Sequence, residues 1–161
     1  MKRTARLMEV RRIMNSFRYW DADGEWVSRS PQEILSSRVG NCYDTVKLQD
    51  YLLDAALVEH RMFLLVPRQS LEENRGDLPT HLFMLHDDNG VWRWVEGSWQ
   101  PYRDNSLAGD CAEVLAAAVK RLMEAHYGME YLLFPVDALP AEGLTLGQFY
   151  ERLLEGVLFS S

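Results

Sequence analysis

Cys42 is the residue of this sequence best suited to do chemistry. It follows Gly40-Asn41 and opens a run whose apolar spacing is helical, so its thiol stands at a helix start. There the unsatisfied N–H groups and the helix dipole favour a thiolate, which is the nucleophilic form. The same amides can donate to the oxyanion that forms when a thiolate attacks a carbonyl. A free cysteine at a helix start is also commonly a small packing residue, and Cys42 taken by itself favours that plainer reading.

Two further residues change the balance. Thr80–His86 and Val91–Trp99 read as strands joined by Asp87-Asp88-Asn89-Gly90, a hairpin turn. With all four residues in the loop, His81 lies directly opposite Glu96. With only Asn89-Gly90 in the loop, Glu96 lies opposite Phe83 and diagonal to His81. Both registers put His81 and Glu96 on one sheet face within reach of each other, whereas a three-residue loop separates them by face. A carboxylate that orients an imidazole is the third member that a thiolate–imidazolium pair requires. His86 has the opposite parity and faces away, while Trp92, Trp94 and Phe83 share the pair's face.

The elements that must position these residues follow from periodicity. Leu7, Val10, Ile13, Met14 and Phe17 predict an amphipathic helix over 4–17. Ser30-Pro31-Gln32-Glu33 is a capping box with proline at the first helical position, and Gly40 is expected to close that short helix in the left-handed conformation. The next helix runs from Asn41 or Cys42 to Val58. Asn41 caps it, Asp44 lies in its first turn, and Cys42, Val46, Leu53 and Leu57 form its buried stripe. Strand 61–66, a polar loop over 67–79, the hairpin, helix 112–126, strand 130–136 and helix 146–158 complete the chain. That order predicts a single α+β domain over 1–161, with helices packed on a mostly antiparallel sheet.

Composition bounds the function. The 161 residues carry 17 Lys+Arg against 24 Asp+Glu, a net charge of −7, which argues against a broad nucleic-acid surface. No apolar run approaches the roughly 18–20 residues of a membrane span, and with no continuous apolar stretch behind the basic first residues no signal peptide is expected. With Cys42 and Cys111 as the cysteines, no disulfide framework is implied and a reducing cytoplasm is expected. Asp110 beside Cys111 disfavours its thiolate, so Cys111 is expected to be structural. Lys2, Arg3, Arg6, Arg11, Arg12 and Arg18 stand against Glu9 in the first 18 residues. Pairing with the acidic body is the favoured reading of these cations, and docking of an acidic partner is the sharper one.

Ser30-Pro31-Gln32-Glu33, Val39-Gly40-Asn41-Cys42-Tyr43-Asp44, Pro79-Thr80-His81 and Trp94-Val95-Glu96-Gly97-Ser98-Trp99 together resemble the transglutaminase-like superfamily of papain-like cysteine enzymes, in particular its small bacterial and phage members. The likeness covers about residues 19–102. It implies a papain-like core with the cysteine on a central helix and the histidine and acid on adjacent strands. It also implies thiol acyl transfer on a peptide or amide: Cys42 attacks, His81 moves the proton and Glu96 orients His81. Glu96 stands where many relatives have Asp. The oxyanion hole or cleft of such a site would draw on Trp20 or Trp26 upstream, and on Asn41, Tyr43 and Trp94. No cofactor is implied, and Asp87-Asp88-Asn89 lacks the spaced oxygen ligands of a calcium loop, so metal independence is expected. Two other classes compete: a catalytically silent module of this fold that grips a peptide or protein, and a coenzyme A-dependent acetyltransferase, for which no phosphate-cradling glycine loop is present.

Overall fold

The computed structural model describes residues 3–19, 25–74, 78–125 and 129–159. Its centre is an antiparallel sheet in the order β6-β5-β4-β3-β7, formed by Ala108–Gly109, Val91–Trp94, His81–Asp88, His60–Pro67 and Tyr131–Val136. Strict alternation along β3 and β4 divides the core in two. Met62, Leu64, Val66, Leu82 and Met84 face a layer built from α1 (Arg3–Asn15), α3 (Cys42–Ala55) and α6 (Leu146–Phe159). Phe63, Leu65, Phe83, Leu85 and Trp94 face α5 (Cys111–Glu124), which covers them with Val114, Ala118 and Leu122. The architecture is α+β, as the order of patterns predicts. No helix among the described residues is long and apolar enough to cross a membrane.

The helices start where their caps dictate. Ser30 and Glu33 form the expected capping box of α2 (Pro31–Ser37), and Asp110 with Glu113 forms another at α5. The cations of α1 lie against the acidic hairpin turn: Arg3 Nη2 is 2.9 Å from Asp87 Oδ2 and Arg11 Nη2 is 3.3 Å from Asp88 Oδ2.

Four expectations need correction. The left-handed residue that ends α2 is Arg38 (φ 54°), not Gly40. Gly40 instead lies in a two-residue strand, β2 (Val39–Gly40), parallel to β1 (Arg18–Tyr19). It is required there because an added Cβ would stand 2.5 Å from Asp44 Cβ. Second, α3 ends at Ala55 in a Schellman motif, with Leu57 N–H donating to Asp54 O and Val58 N–H to Leu53 O. Leu57 therefore occupies the left-handed position (φ 57°) and is 85% exposed rather than part of the buried stripe. Third, the loop predicted over 67–79 contains a short helix, α4 (Arg68–Glu72). Fourth, β5 stops at Trp94 instead of running to Trp99, since the Glu96 carboxylate folds the following residues back on themselves.

Candidate active site

The hairpin uses the two-residue loop. Leu85 pairs with Trp94 and Asp88 with Val91, leaving Asn89 (φ 54°) and Gly90 (φ 91°) in the turn. Continued past Trp94, this register puts Glu96 diagonal to His81. The side chains meet: His81 Nε2 lies 2.9 Å from Glu96 Oε2. The other carboxylate oxygen accepts the Ser98 N–H at 3.0 Å, the Ser98 hydroxyl at 2.8 Å and the Trp99 N–H at 3.2 Å. Glu96 is 3% and His81 7% exposed, so the pair is screened from water. Gln49 of α3 donates to Val95 O, and Arg103 donates to Gly97 O and Phe17 O, which pins the 95–99 segment from both sides.

Cys42 is the first residue of α3, half-buried, and its thiol is close enough to His81 to favour the charged imidazole. With Nε2 engaged by Glu96, Nδ1 is the ring nitrogen left without a hydrogen-bond partner among the described residues. Burial works against a charge on His81, but the charge of the Glu96 carboxylate, its hydrogen bond and the neighbouring Cys42 prevail and push its pKa up to about 10. Burial likewise opposes a charge on Glu96. The His81 charge and the hydrogen bonds from His81 and Ser98 outweigh it, holding the carboxyl below the usual range. Each partner is thus pushed toward its charged form.

The helix start beneath the thiol is organised so that one amide remains. Asn41 Oδ1 accepts the N–H groups of Tyr43 and Asp44, and Thr45 N–H donates to Asn41 O. Asp44 Oδ2 reaches back to Asn41 N–H at 2.9 Å. The N–H of Cys42 donates to no acceptor among the described residues. Asp44 is 1% exposed, and its Oδ2 also accepts the Trp26 indole N–H at 2.8 Å and lies 3.5 Å from Arg29 Nη2.

The cleft candidates therefore fall into different places. Trp26 is core, 2% exposed and packed on Tyr43 and Phe149. Its indole donor belongs to Asp44, which removes it as an oxyanion donor. Asn41 is the cap, with its side-chain oxygen bound to the helix. Tyr43 is buried with its hydroxyl 3.0 Å from Thr80 Oγ1, and burial together with the charge of Cys42 raises its pKa. Trp94 is 2% exposed against Phe83 and Tyr102 and is core rather than cleft wall. Trp20 lies outside the described residues.

Sequence reasoning missed Trp99. It stacks on His81 with ring centroids 5.4 Å apart, while Phe83 lies parallel on the imidazole at 6.1 Å. Its position three residues after Glu96, in a segment read as continuing strand, concealed it. Cys111 also sits at a helix start, with Arg61 Nη1 3.6 Å from its sulfur, and is not bonded to Cys42.

No family model matches the chain, and no curated protein matches it. Among solved structures it is similar to one described as a "putative cysteine protease" from Cytophaga hutchinsonii, with 12% identity and a TM-score of 0.42, over 86% of this chain and 47% of that one. The chain thus spans about half the length of that protein, and a likeness at this level carries no argument about activity.

Proposed function

We propose that this protein is a thiol acyl-transfer enzyme acting on an amide or ester through Cys42, His81 and Glu96. The observation that carries the reading is the buried His81–Glu96 pair, at 2.9 Å, with the helix-start thiol of Cys42 beside the imidazole. The resemblance of the motifs to the transglutaminase-like superfamily supports it as well.

The geometry suits a two-step reaction. The Cys42 thiolate attacks the carbonyl carbon, and the Cys42 N–H, left free by the cap, donates to the oxyanion. The C–N or C–O bond breaks as His81 gives its proton to the departing amine or alcohol, which leaves a thioester on Cys42. The neutral imidazole then takes a proton from the incoming acceptor, which attacks the thioester; the C–S bond breaks and the Cys42 thiolate and His81 imidazolium are restored. Water as acceptor gives hydrolysis, and an amine gives transfer. Glu96 holds the ring and stabilises the imidazolium.

The test combines alkylation with acyl trapping. Iodoacetamide should alkylate Cys42 faster than Cys111 at neutral pH, and His81→Ala should slow that reaction. With p-nitrophenyl acetate, an acetyl group should accumulate on Cys42 and be lost in Cys42→Ala. Equal alkylation of wild type and His81→Ala, with no acetylated Cys42, would remove the enzyme reading and leave the binding module.

A further inference from the structure

We infer that Ser98 is a positioning residue of the candidate site, whose hydroxyl locks the Glu96 carboxylate so that one of its two oxygens is kept for His81. This role rests on the reading of Cys42, His81 and Glu96 as the reacting group, and it brings in a residue that acts only through Glu96. The need for a lock follows from the side chain. Glutamate carries its carboxylate on several rotatable bonds, and once the group turns either oxygen can face a partner. Holding one orientation costs rotamer freedom that other contacts must offset.

The two oxygens have separate tasks. Oε1 accepts the Ser98 hydroxyl at 2.8 Å, the Ser98 N–H at 3.0 Å and the Trp99 N–H at 3.2 Å. Oε2 faces His81 Nε2 at 2.9 Å and takes no other donor among the described residues. Ser98 and Glu96 are each 3% exposed, so little water competes for these bonds. A hydrogen bond to an ionised acceptor is about twice as strong as one between neutral groups, so the lock favours the carboxylate over the acid. Burial opposes the charge on Glu96, and the bonds from Ser98 join His81 in holding it below its usual range.

The backbone of this turn is held by other means. Val95 O accepts from Gln49 Nε2 at 2.9 Å, and Gly97 O accepts from Arg103 Nη2 at 2.6 Å. Gly97 lies so close to α1 and α3 that an added Cβ would stand 2.8 Å from Met14 Cε and from Thr45 Cβ. The chain therefore keeps its path without the serine hydroxyl. What the hydroxyl adds is the one side-chain donor on Oε1, and it makes the shortest of the three bonds there. The Trp99 N–H on the same oxygen ties the lock to the ring stacked on His81, with centroids 5.4 Å apart. One turn thus orients the carboxylate and delivers an aromatic face to the imidazole.

The experiment titrates the His81 ring by NMR in the full chain, its resonance identified by its loss in His81→Gln. Wild type is compared with Ser98→Ala, Ser98→Thr, Glu96→Gln and the double variant Glu96→Gln/Ser98→Ala. In wild type the His81 midpoint is pushed up to about 10. Ser98→Ala should lower it by about one pH unit, a tenfold change in the protonation equilibrium, and should slow iodoacetamide alkylation of Cys42 at neutral pH. Ser98→Thr keeps the hydroxyl and should restore both. In Glu96→Gln no charge is left to orient, so adding Ser98→Ala should leave the midpoint within about 0.3 pH units. A residue that merely supported the fold would lower it in both backgrounds. If Ser98→Thr does not fold, Ser98→Ala in the two backgrounds still decides. An unchanged His81 midpoint in Ser98→Ala, or an equal fall in both backgrounds, would overturn the assignment. Failure of the proposed reaction shows separately, as Cys42 of wild type alkylating no faster than Cys111, and leaves the role of Ser98 to the titration.

Discussion

Replacing Glu96 by glutamine keeps the shape of the side chain and removes its charge. The substituted amide can still accept the donors of Ser98 and Trp99 through its carbonyl, and its NH2 group can donate to a neutral His81. The loss is therefore electrostatic. His81 is raised from 6.5 to about 10, which at 1.36 kcal/mol per pKa unit corresponds to about 5 kcal/mol for the fully formed pair. Breaking buried pairs by mutation costs about 3–5 kcal/mol, so the two figures agree in scale. The sign fixes the pH window. A raised imidazole stabilises the fold fully below its unfolded pKa of 6.5, and the contribution is lost as pH rises through about 10. The lowered Glu96 carboxyl contributes above its ordinary pKa of 4.5 and fails only in stronger acid. Urea denaturation of wild type and Glu96→Gln at pH 6, 8 and 10.5 should thus give a difference of about 3–5 kcal/mol at pH 6. The difference should close toward zero at pH 10.5, where wild type retains an unpaired buried carboxylate. A difference below about 1 kcal/mol at pH 6, or one that is flat across the range, would refute the ionic pair.

Three other substitutions probe the elements behind the site. Gly40→Ala drives a Cβ to within 2.5 Å of Asp44 Cβ. It should cost about 1–3 kcal/mol by urea titration and slow alkylation of Cys42. Trp26→Phe keeps the ring in the core but removes the donor 2.8 Å from Asp44; a loss of about 1–3 kcal/mol is expected from the under-bonded carboxylate, read as a fall in urea midpoint. Leu57→Gly relieves a left-handed backbone at an 85% exposed side chain. Its net effect should be a gain of about 0.5–1 kcal/mol, seen as a higher midpoint with unchanged slope.

Much of the site was legible because its determinants are local. The cap at Asn41, the thiol at the first helical position and the shared face of His81 and Glu96 follow from helix and strand periods and from a hairpin turn. What was illegible depends on partners far apart in the chain. Nothing near Trp26 announces that its indole bonds Asp44, 18 residues later. Gly40 reads as a helix terminator, yet its reason is the carboxylate lying against it, and Arg38 takes the terminating conformation. The apolar pattern of Val91–Trp99 continues beyond Trp94, whereas the chain turns because a carboxylate collects three donors there, and that turn lays Trp99 over the imidazole. Leu57 kept helical spacing, but the helix had already closed at Ala55.

The capping arrangement at the start of α3 makes durability and reactivity one property. Asn41, Asp44 and Gly40 anchor this helix start, and the same bonds decide which amide is left beside the thiol. A substitution at any of the three is felt by both, so these positions lack the independent adjustment open to a surface turn. An engineer seeking a hardier variant should leave this end of α3 untouched and work at its far end, where the exposed Leu57 can be exchanged without disturbing the sulfur.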